Sequence, residues 1–494
     1  MNEPQPETVP ADPAEAAPAP DPNEWAGAPL KATLKLMIVP GVLGVFILLG
    51  GGLPTWLLYG VAGVFGLAVM PRLLRDPEPV MAVAIAYLPL NKMFAVPIAP
   101  GINATNIVEG LLLYHWIRAG RGDPDAAQKG DAPKDQTSTL VTAYACVTLL
   151  SVVTALIVAG ADFVFDKILD VRWWLDQFIV YFTFFRLIKD GKMAQRLLVY
   201  MMLTSTVVLG LGVQEWLEKR DASSIEKARL LGPQLQPNDF GAFMAYAAAP
   251  FIAIVLINIA KPRILAFAVP YLLMTARILL ATFSRGAYLG VALGAIVAGW
   301  VRGKFFLIGA AVFGVLLVVV FPQIVPQSLQ ARMGQTTSEG APTTENIDKS
   351  SQTRLILWDA ALKITKKSPL FGYGFKTFPK FKGEFTDEEV HESDNHNMYL
   401  YLTSQMGIPA AVLLLLLMWK MGRLGARVYR ASDQRFERVV GMTATTLAGA
   451  AFLVNMFGSR MVDICVSVDF WITLAIVSRL WMEIEARKMA EQPR

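Results

Sequence analysis

The chain has 494 residues, 54% of them apolar and only 17% charged, with a net charge of +5. A soluble protein carries about a quarter charged residues, so that class is excluded. The small positive excess sits in short clusters between apolar runs, which is a topology signal and not a nucleic-acid surface. The apolar runs are long enough to cross a bilayer, which takes about 20 residues as helix, and lipid allows such runs no other conformation. The sequence therefore predicts an all-α, polytopic integral membrane protein.

Residues 1–30 are rich in Pro, Ala, Glu and Asp, a composition that predicts a disordered tail. They lack the basic start and apolar core of a signal peptide, so the first span is expected to direct insertion. Helices are predicted at 34–52, 54–70, 79–97, 105–118, 139–160, 174–188, 196–213 and 240–258. Further helices follow at 264–282, 286–301, 304–322, 398–418, 439–458 and 463–481. With two short or Pro-containing runs counted as re-entrant or merged, fourteen spans become twelve.

With the N-terminus placed inside, the connections at 71–76, 118–134, 186–192, 261–263, 302–304, 420–438 and 479–487 fall on one side, and each is basic. That alternation predicts a bacterial inner-membrane protein with both termini cytoplasmic. Two outer connections are long: 214–239 and about 323–396. The chain thus divides into a tail (1–30), a helix bundle (31–322), a large periplasmic loop (323–396) and C-terminal spans with a cytoplasmic end (397–494).

Within the large loop, residues 333–353 are polar and low in aromatics. Residues 354–367 then bring Leu355, Trp358, Leu362 and Ala361 near one helical face. This pattern predicts an amphipathic helix along the membrane surface with Trp358 at headgroup level. Ser368-Pro369 and Gly372-Tyr373-Gly374 end it.

Cys146 and Cys465 each lie inside an apolar run, so neither a disulfide framework nor a zinc site is expected. There is no phosphate-binding loop and no dinucleotide fingerprint. No cofactor and no metal are expected.

Among three histidines, His391 and His396 lie at the end of the large loop, and His396 directly precedes a span. A neutral imidazole there can accept a hydroxyl proton; the plainer reading is a loop histidine making a surface hydrogen bond. Arg285, in Phe283-Ser284-Arg285-Gly286-Ala287, begins a span at its outer end. Arg277 lies eight residues earlier within an apolar run, and Arg354 opens the amphipathic segment. Three guanidinium forks near one outer face suit a pyrophosphate. Snorkelling to headgroups is the alternative, and structural pairing competes for Arg277. Glu109 and Asp176 are expected to neutralise intramembrane neighbours. Glu384, Asp387, Glu388, Glu389, Glu392 and Asp394 read as a solvated face, one member of which can orient a histidine.

Several segments resemble motifs of one family. His396-Asn397, followed by nine residues and Gly407, resembles the His-[Asn/Ser/Gln]-x9-Gly motif of O-antigen ligases and related glycan polymerases. Arg285-Gly286-Ala287-Tyr288-Leu289 resembles that family's Arg-x3-Leu motif. Arg354 to Trp358, continuing to Pro369-Leu370-Phe371-Gly372-Tyr373-Gly374, resembles its Arg-x3-Trp…Pro-Leu-x-Gly-x-Gly stretch. Gln236-Pro237-Asn238-Asp239 resembles its usual entry to a span. The likeness runs in order over roughly residues 200–420.

The resemblance implies a GT-C-type membrane glycosyltransferase, metal-independent and inverting. Its donor would be a polyprenyl-pyrophosphate-linked oligosaccharide, and its acceptor a glycan or glycolipid hydroxyl. His396 would be the general base or acceptor-orienting group. Arg285 and Arg354, with Arg277, would bind pyrophosphate, supported by Asn397, Gly407, Asn238 and Asp239. Ala410 stands where the ligase pattern tends to Gly, Thr or Tyr, and fourteen spans exceed the usual twelve, which leans toward a polymerase. The competing class is a lipid-linked-glycan transporter or flippase without covalent chemistry.

Overall fold

The structure, a computed structural model, describes residues 69–94, 97–99, 102–121, 136–222, 224–304, 308, 349–386 and 390–491. The expected tail, the span at 34–52, nearly all of the spans at 54–70 and 304–322, and loop residues 323–348 lie outside the described residues.

The described chain is helical apart from one small ribbon. In order come α1 (Pro77–Tyr87), a 3₁₀ turn (Leu88–Leu90), β1 (Pro97–Ala99), β2 (Ile102–Asn103), α2 (Ala104–Arg121), α3 (Gln136–Ala159), α4 (Ala161–Asp166), α5 (Ile168–Leu187) and α6 (Gly191–Lys219). Then follow α7 (Ile225–Ala228), α8 (Pro237–Ala247), α9 (Ala249–Ile257), α10 (Pro262–Thr282) and α11 (Arg285–Arg302). The last group is α12 (Lys349–Lys367), α13 (Phe378–Phe381), a 3₁₀ turn (Lys382–Glu384), α14 (Met398–Met406), α15 (Ile408–Ala431), α16 (Arg435–Val454) and α17 (Ile464–Glu491).

Among the described residues, six helical units are long and apolar enough to cross a membrane: α3, α6, the α8–α9 unit, α10, α15 and α17. The protein is a polytopic helical membrane protein. The α8–α9 unit and α17 form its centre: Phe240 through Phe251 and Ile464 through Val477 are buried almost without interruption, as expected of helices apolar on every side. The outer helices α3 and α10 instead expose Leu149, Val153, Ile157 and Leu273.

Four expected spans take a different form. The run at 79–97 stops as helix at Leu90, and Pro97–Ala99 pairs antiparallel with Ile102–Asn103; proline does not continue a helix interior and is tolerated at a strand edge. The run at 240–258 is broken at Ala248, two residues before Pro250, whose ring removes a donor from the ladder. The run at 398–418 is two helices, α14 and α15, parted at Gly407. The run at 174–188 begins earlier, at Ile168.

Backbones approach closely where glycine allows it. A Cβ on Gly294 of α11 would lie 2.6 Å from the Thr446 carbonyl oxygen of α16, and one on Gly286 2.8 Å from Phe457 Cβ. Small residues at this spacing let membrane helices touch. Gly294→Leu is expected to cost about 1–3 kcal/mol, the usual range for overpacking, seen as a lower melting temperature of the detergent-solubilised protein. Gly210→Ala, where nothing lies within 4 Å, should leave it unchanged or higher; equal melting of the two variants would contradict this packing.

The basic connections gather at one end. Arg118 donates to the Leu74 carbonyl at 3.2 Å, and Arg186 lies 5.2 Å from the Trp116 ring. Arg479 lies over Phe185, Arg427 over Trp481, and Arg487 pairs with Glu437 at 2.5 Å. These contacts tie together five of the seven basic clusters. The motif residues lie at the opposite end.

Candidate functional site

The site is built on a joint between α14, α15 and the segment after α12. Asn397 caps α14, its Oδ1 accepting from the Tyr399 and Leu400 amides at 3.0 and 3.1 Å. Gly407 closes the helix with φ +86°, so the nine residues separating Asn397 from Gly407 are α14 itself. The Pro369–Phe375 segment docks into the break. The Ile408 amide donates to the Pro369 carbonyl at 2.8 Å, Tyr373 to Ser404 and Gly374 to Gln405 at 2.9 Å, and Phe375 to Ser151 of α3 at 2.9 Å. Gly374 holds φ +103°, and a Cβ there would fall 2.3 Å from the Ala155 nitrogen. The glycine-rich stretch is therefore a structural clasp.

The amphipathic helix packs differently from the face expected of it. Leu357, Ala360, Ala361 and Ile364 are buried with Phe378 in a separate small core, while Leu355 and Leu362 are exposed. Both stripes are apolar, and the one with two alanines allows the closer approach. Trp358 is not at the outer surface of the helix; its indole N–H donates to the Asn395 carbonyl at 2.8 Å.

That bond helps to hold His396. The histidine sits at φ +55°, a left-handed conformation uncommon for residues other than glycine. Such strain persists when the neighbours over-determine it, and here they do. The Asn397 amide donates to Asn395 Oδ1 at 3.1 Å, and the Met398 amide to the Asn455 carbonyl at 2.8 Å. Asp394 Oδ2 lies 3.7 Å from His396 Nδ1, and its other oxygen accepts from Ser459 Oγ at 2.8 Å.

Burial lowers the His396 pKa. Asp394 and Glu392 oppose the shift and Arg354 and Arg460 reinforce it, with a net result below the usual histidine value. The imidazole is therefore neutral near pH 7. Asp394 faces Nδ1 at 3.7 Å; in the tautomer with the proton on that nitrogen, Nε2 accepts a proton.

The other expected residues distribute as follows. Arg354, one turn before Trp358, acts on His396 electrostatically. Arg285 begins α11 beside the start of α8, where a Cβ on Gly241 would meet Ser284 Cβ at 3.0 Å. Gln236 caps α8 by accepting from the Asp239 amide at 2.7 Å, with Pro237 at the first helical position. Asn238 Oδ1 accepts from Arg229 at 3.1 Å, and Arg229 also reaches the Thr282 carbonyl at the end of α10. Asp239 pairs with Arg460.

Arg277 is exposed and lies 4.6 Å from the centre of the Trp216 ring. His391 is exposed. His115, at the opposite end, is buried with Nε2 2.6 Å from the Leu73 carbonyl. Glu109 and Asp176 share Arg172, at 2.9 and 3.8 Å, which matches the neutralising role expected of them.

Sequence motifs missed Arg460, Lys92, Asp463 and Asn455. Lys92 lies 2.5 Å from Asp463 and 3.8 Å from Asp239. Burial disfavours its ammonium, but those carboxylates outweigh burial and raise its pKa. A signal existed in the short connection between the last two spans, where Arg460 and Asp463 are charged residues on the side the basic pattern leaves free.

The fold and site define a multi-pass helical membrane protein with a histidine–arginine centre at the end opposite its basic connections. Residues 270–415 match the family model described as O-Antigen ligase, a stretch that includes Arg285, Arg354, His396, Asn397 and Gly407. The match associates the chain with glycosyl transfer in surface-polysaccharide synthesis. No curated protein matches the chain.

Proposed function

We propose that this protein transfers glycan from a polyprenyl-pyrophosphate-linked donor to an acceptor sugar hydroxyl at the periplasmic face of the bacterial inner membrane. The observation that carries the reading is the geometry of His396, pinned at φ +55° with Asp394 on one side and Arg354 near enough to act on it. The donor already holds a good leaving group, so catalysis amounts to placing the hydroxyl and receiving charge on the departing pyrophosphate.

His396 Nε2 takes the acceptor hydroxyl proton as the oxygen attacks the anomeric carbon. The bond from that carbon to the pyrophosphate oxygen breaks, and its electron pair leaves with the lipid pyrophosphate. Attack in line with departure inverts the anomeric centre. Arg285 and Arg354 bind the pyrophosphate, and Asp394 steadies the imidazolium formed. Asn397, Gly407, Asn238 and Asp239 support the site through the caps and pairs described. Arg277, stacked on Trp216, is assigned to anchoring at the headgroup level.

The test uses purified protein in detergent with lipid-linked donor, acceptor and a metal chelator. A new glycosidic product that depends on His396 supports the transferase. Lipid-linked glycan that crosses liposomes unchanged, and equally well with His396→Ala, would instead make the protein a transporter. Orientation is tested separately: a reporter fused after residue 350 should be active only in its exported form, and one after residue 430 only in its cytoplasmic form. Both reporting the same side would remove the periplasmic site.

A further inference from the structure

We infer that Arg460 is a further ligand of the donor's pyrophosphate, positioned by Asp239; this rests on the transferase reading above. Arg460 belongs to none of the motifs and lies beyond residues 270–415. It occupies the connection between α16 and α17 and is only 8% exposed.

A guanidinium offers five N–H donors and accepts nothing. Nη1 of Arg460 donates to Asp239. Nη2 is buried and has no hydrogen-bond partner among the described residues. Arginine pairs with carboxylates are frequently bidentate, taking both prongs of the fork. Here one prong is committed and the other is left unmet, and a buried donor without an acceptor is costly. An anionic oxygen completes it.

The backbone ties Arg460 to the segment that carries the reacting group. The Arg460 amide donates to Asn455 Oδ1 at 3.1 Å. Asn455 Nδ2 donates to the Tyr246 hydroxyl at 3.0 Å, and the Asn455 carbonyl accepts from the amide of Met398, two residues after His396. Arginine and histidine are thus hung from one asparagine. Arg460 is also near enough to push the His396 pKa down, as Arg354 does.

The charges point to a diphosphate. Asp239 and Asp463 balance Arg460 and Lys92, so that group of four is neutral before substrate arrives. The negative charge of a pyrophosphate then meets Arg285, Arg354 and the open prong of Arg460. Lipid headgroup phosphate shares part of this chemistry, but a single phosphate does not need a cation from each of several separate connections.

The experiment measures binding of inorganic pyrophosphate to the detergent-solubilised full chain, with inorganic phosphate and phosphatidylglycerol as competitors. Arg460→Gln should weaken pyrophosphate binding by about 10- to 100-fold, the range for a hydrogen bond to a charged group. Arg460→Lys should restore part of it. In glycan transfer, Arg460→Gln should raise the donor KM and move the acid limb of the kcat/KM profile to higher pH, because a charge opposing the imidazolium is gone.

A folded Arg460→Gln variant that binds pyrophosphate like wild type overturns the inference and leaves the transferase standing. If Arg460→Gln does not fold, the double variant Arg460→Met with Asp239→Leu removes the pair together and avoids a stranded charge; tight pyrophosphate binding by it also overturns the inference. Phosphatidylglycerol displacing pyrophosphate at equal concentration assigns the site to a headgroup and overturns it. Wild-type protein that binds no pyrophosphate defeats the transferase reading itself.

Discussion

His396→Ala is expected to reduce glycan transfer by about two to four orders of magnitude, the usual worth of general base catalysis, without changing the amount of protein in the membrane. His391→Ala, five residues away and exposed, should have a mild effect. The pH dependence carries the mechanism. Because the folded environment lowers the His396 pKa, kcat/KM should rise with pH through that depressed value and then level off. Asp394 and Arg354 act on it in opposite senses. Asp394→Asn removes a charge that favours the imidazolium and should move the acid limb to lower pH. Arg354→Ala removes one that opposes it and should move the limb to higher pH. Shifts in the same direction, or none in either variant, would detach the rate from His396.

Gly407→Ala should be the most damaging substitution that touches no reacting atom. At φ +86° and ψ 166° the backbone is in a region essentially reserved for glycine, and such strain costs about 1–3 kcal/mol. The added Cβ would also fall 2.1 Å from the Leu370 carbonyl oxygen. That oxygen belongs to backbone, so the clasp must open for the variant to fold. The expected result is a protein that melts earlier and transfers little glycan. A Gly407→Ala variant with normal melting and normal output would mean that the break between α14 and α15 does not position His396.

Much of this architecture is local in origin and so was legible in the sequence. Apolar runs and alternating basic clusters depend on neighbours in the chain, and they anticipated the helical class and the gathering of Arg118, Arg186, Arg427, Arg479 and Arg487 at one end. His396 and Arg354 were found through motif spacing, and the structure brings them together. What spacing could not supply was tertiary. Leu355 and Leu362 match Leu357 and Ile364 in apolarity, and only packing against Phe378 decides which stripe is buried. Arg277 fits the cationic group by its place in the sequence, and its contact with Trp216, from another helix, is one that spacing does not foresee. Arg460 has no motif at all; its place follows from bonds to Asn455 and Asp239, the latter more than 200 residues away.

The nine-residue α14 acts as a measuring rod. Its first end is fixed by the Asn397 cap and the Asn455 carbonyl, and its last by Gly407 against the clasp. Nine helical residues span about 13 Å, and each residue added would turn one end by about 100° against the other. The imidazole therefore stands at a set height and bearing above the joint, and its reach cannot be adjusted by lengthening the helix. Glycans of different size must then be accommodated by the walls around that fixed point. Every sugar joined is brought to the same station, whatever chain trails behind it.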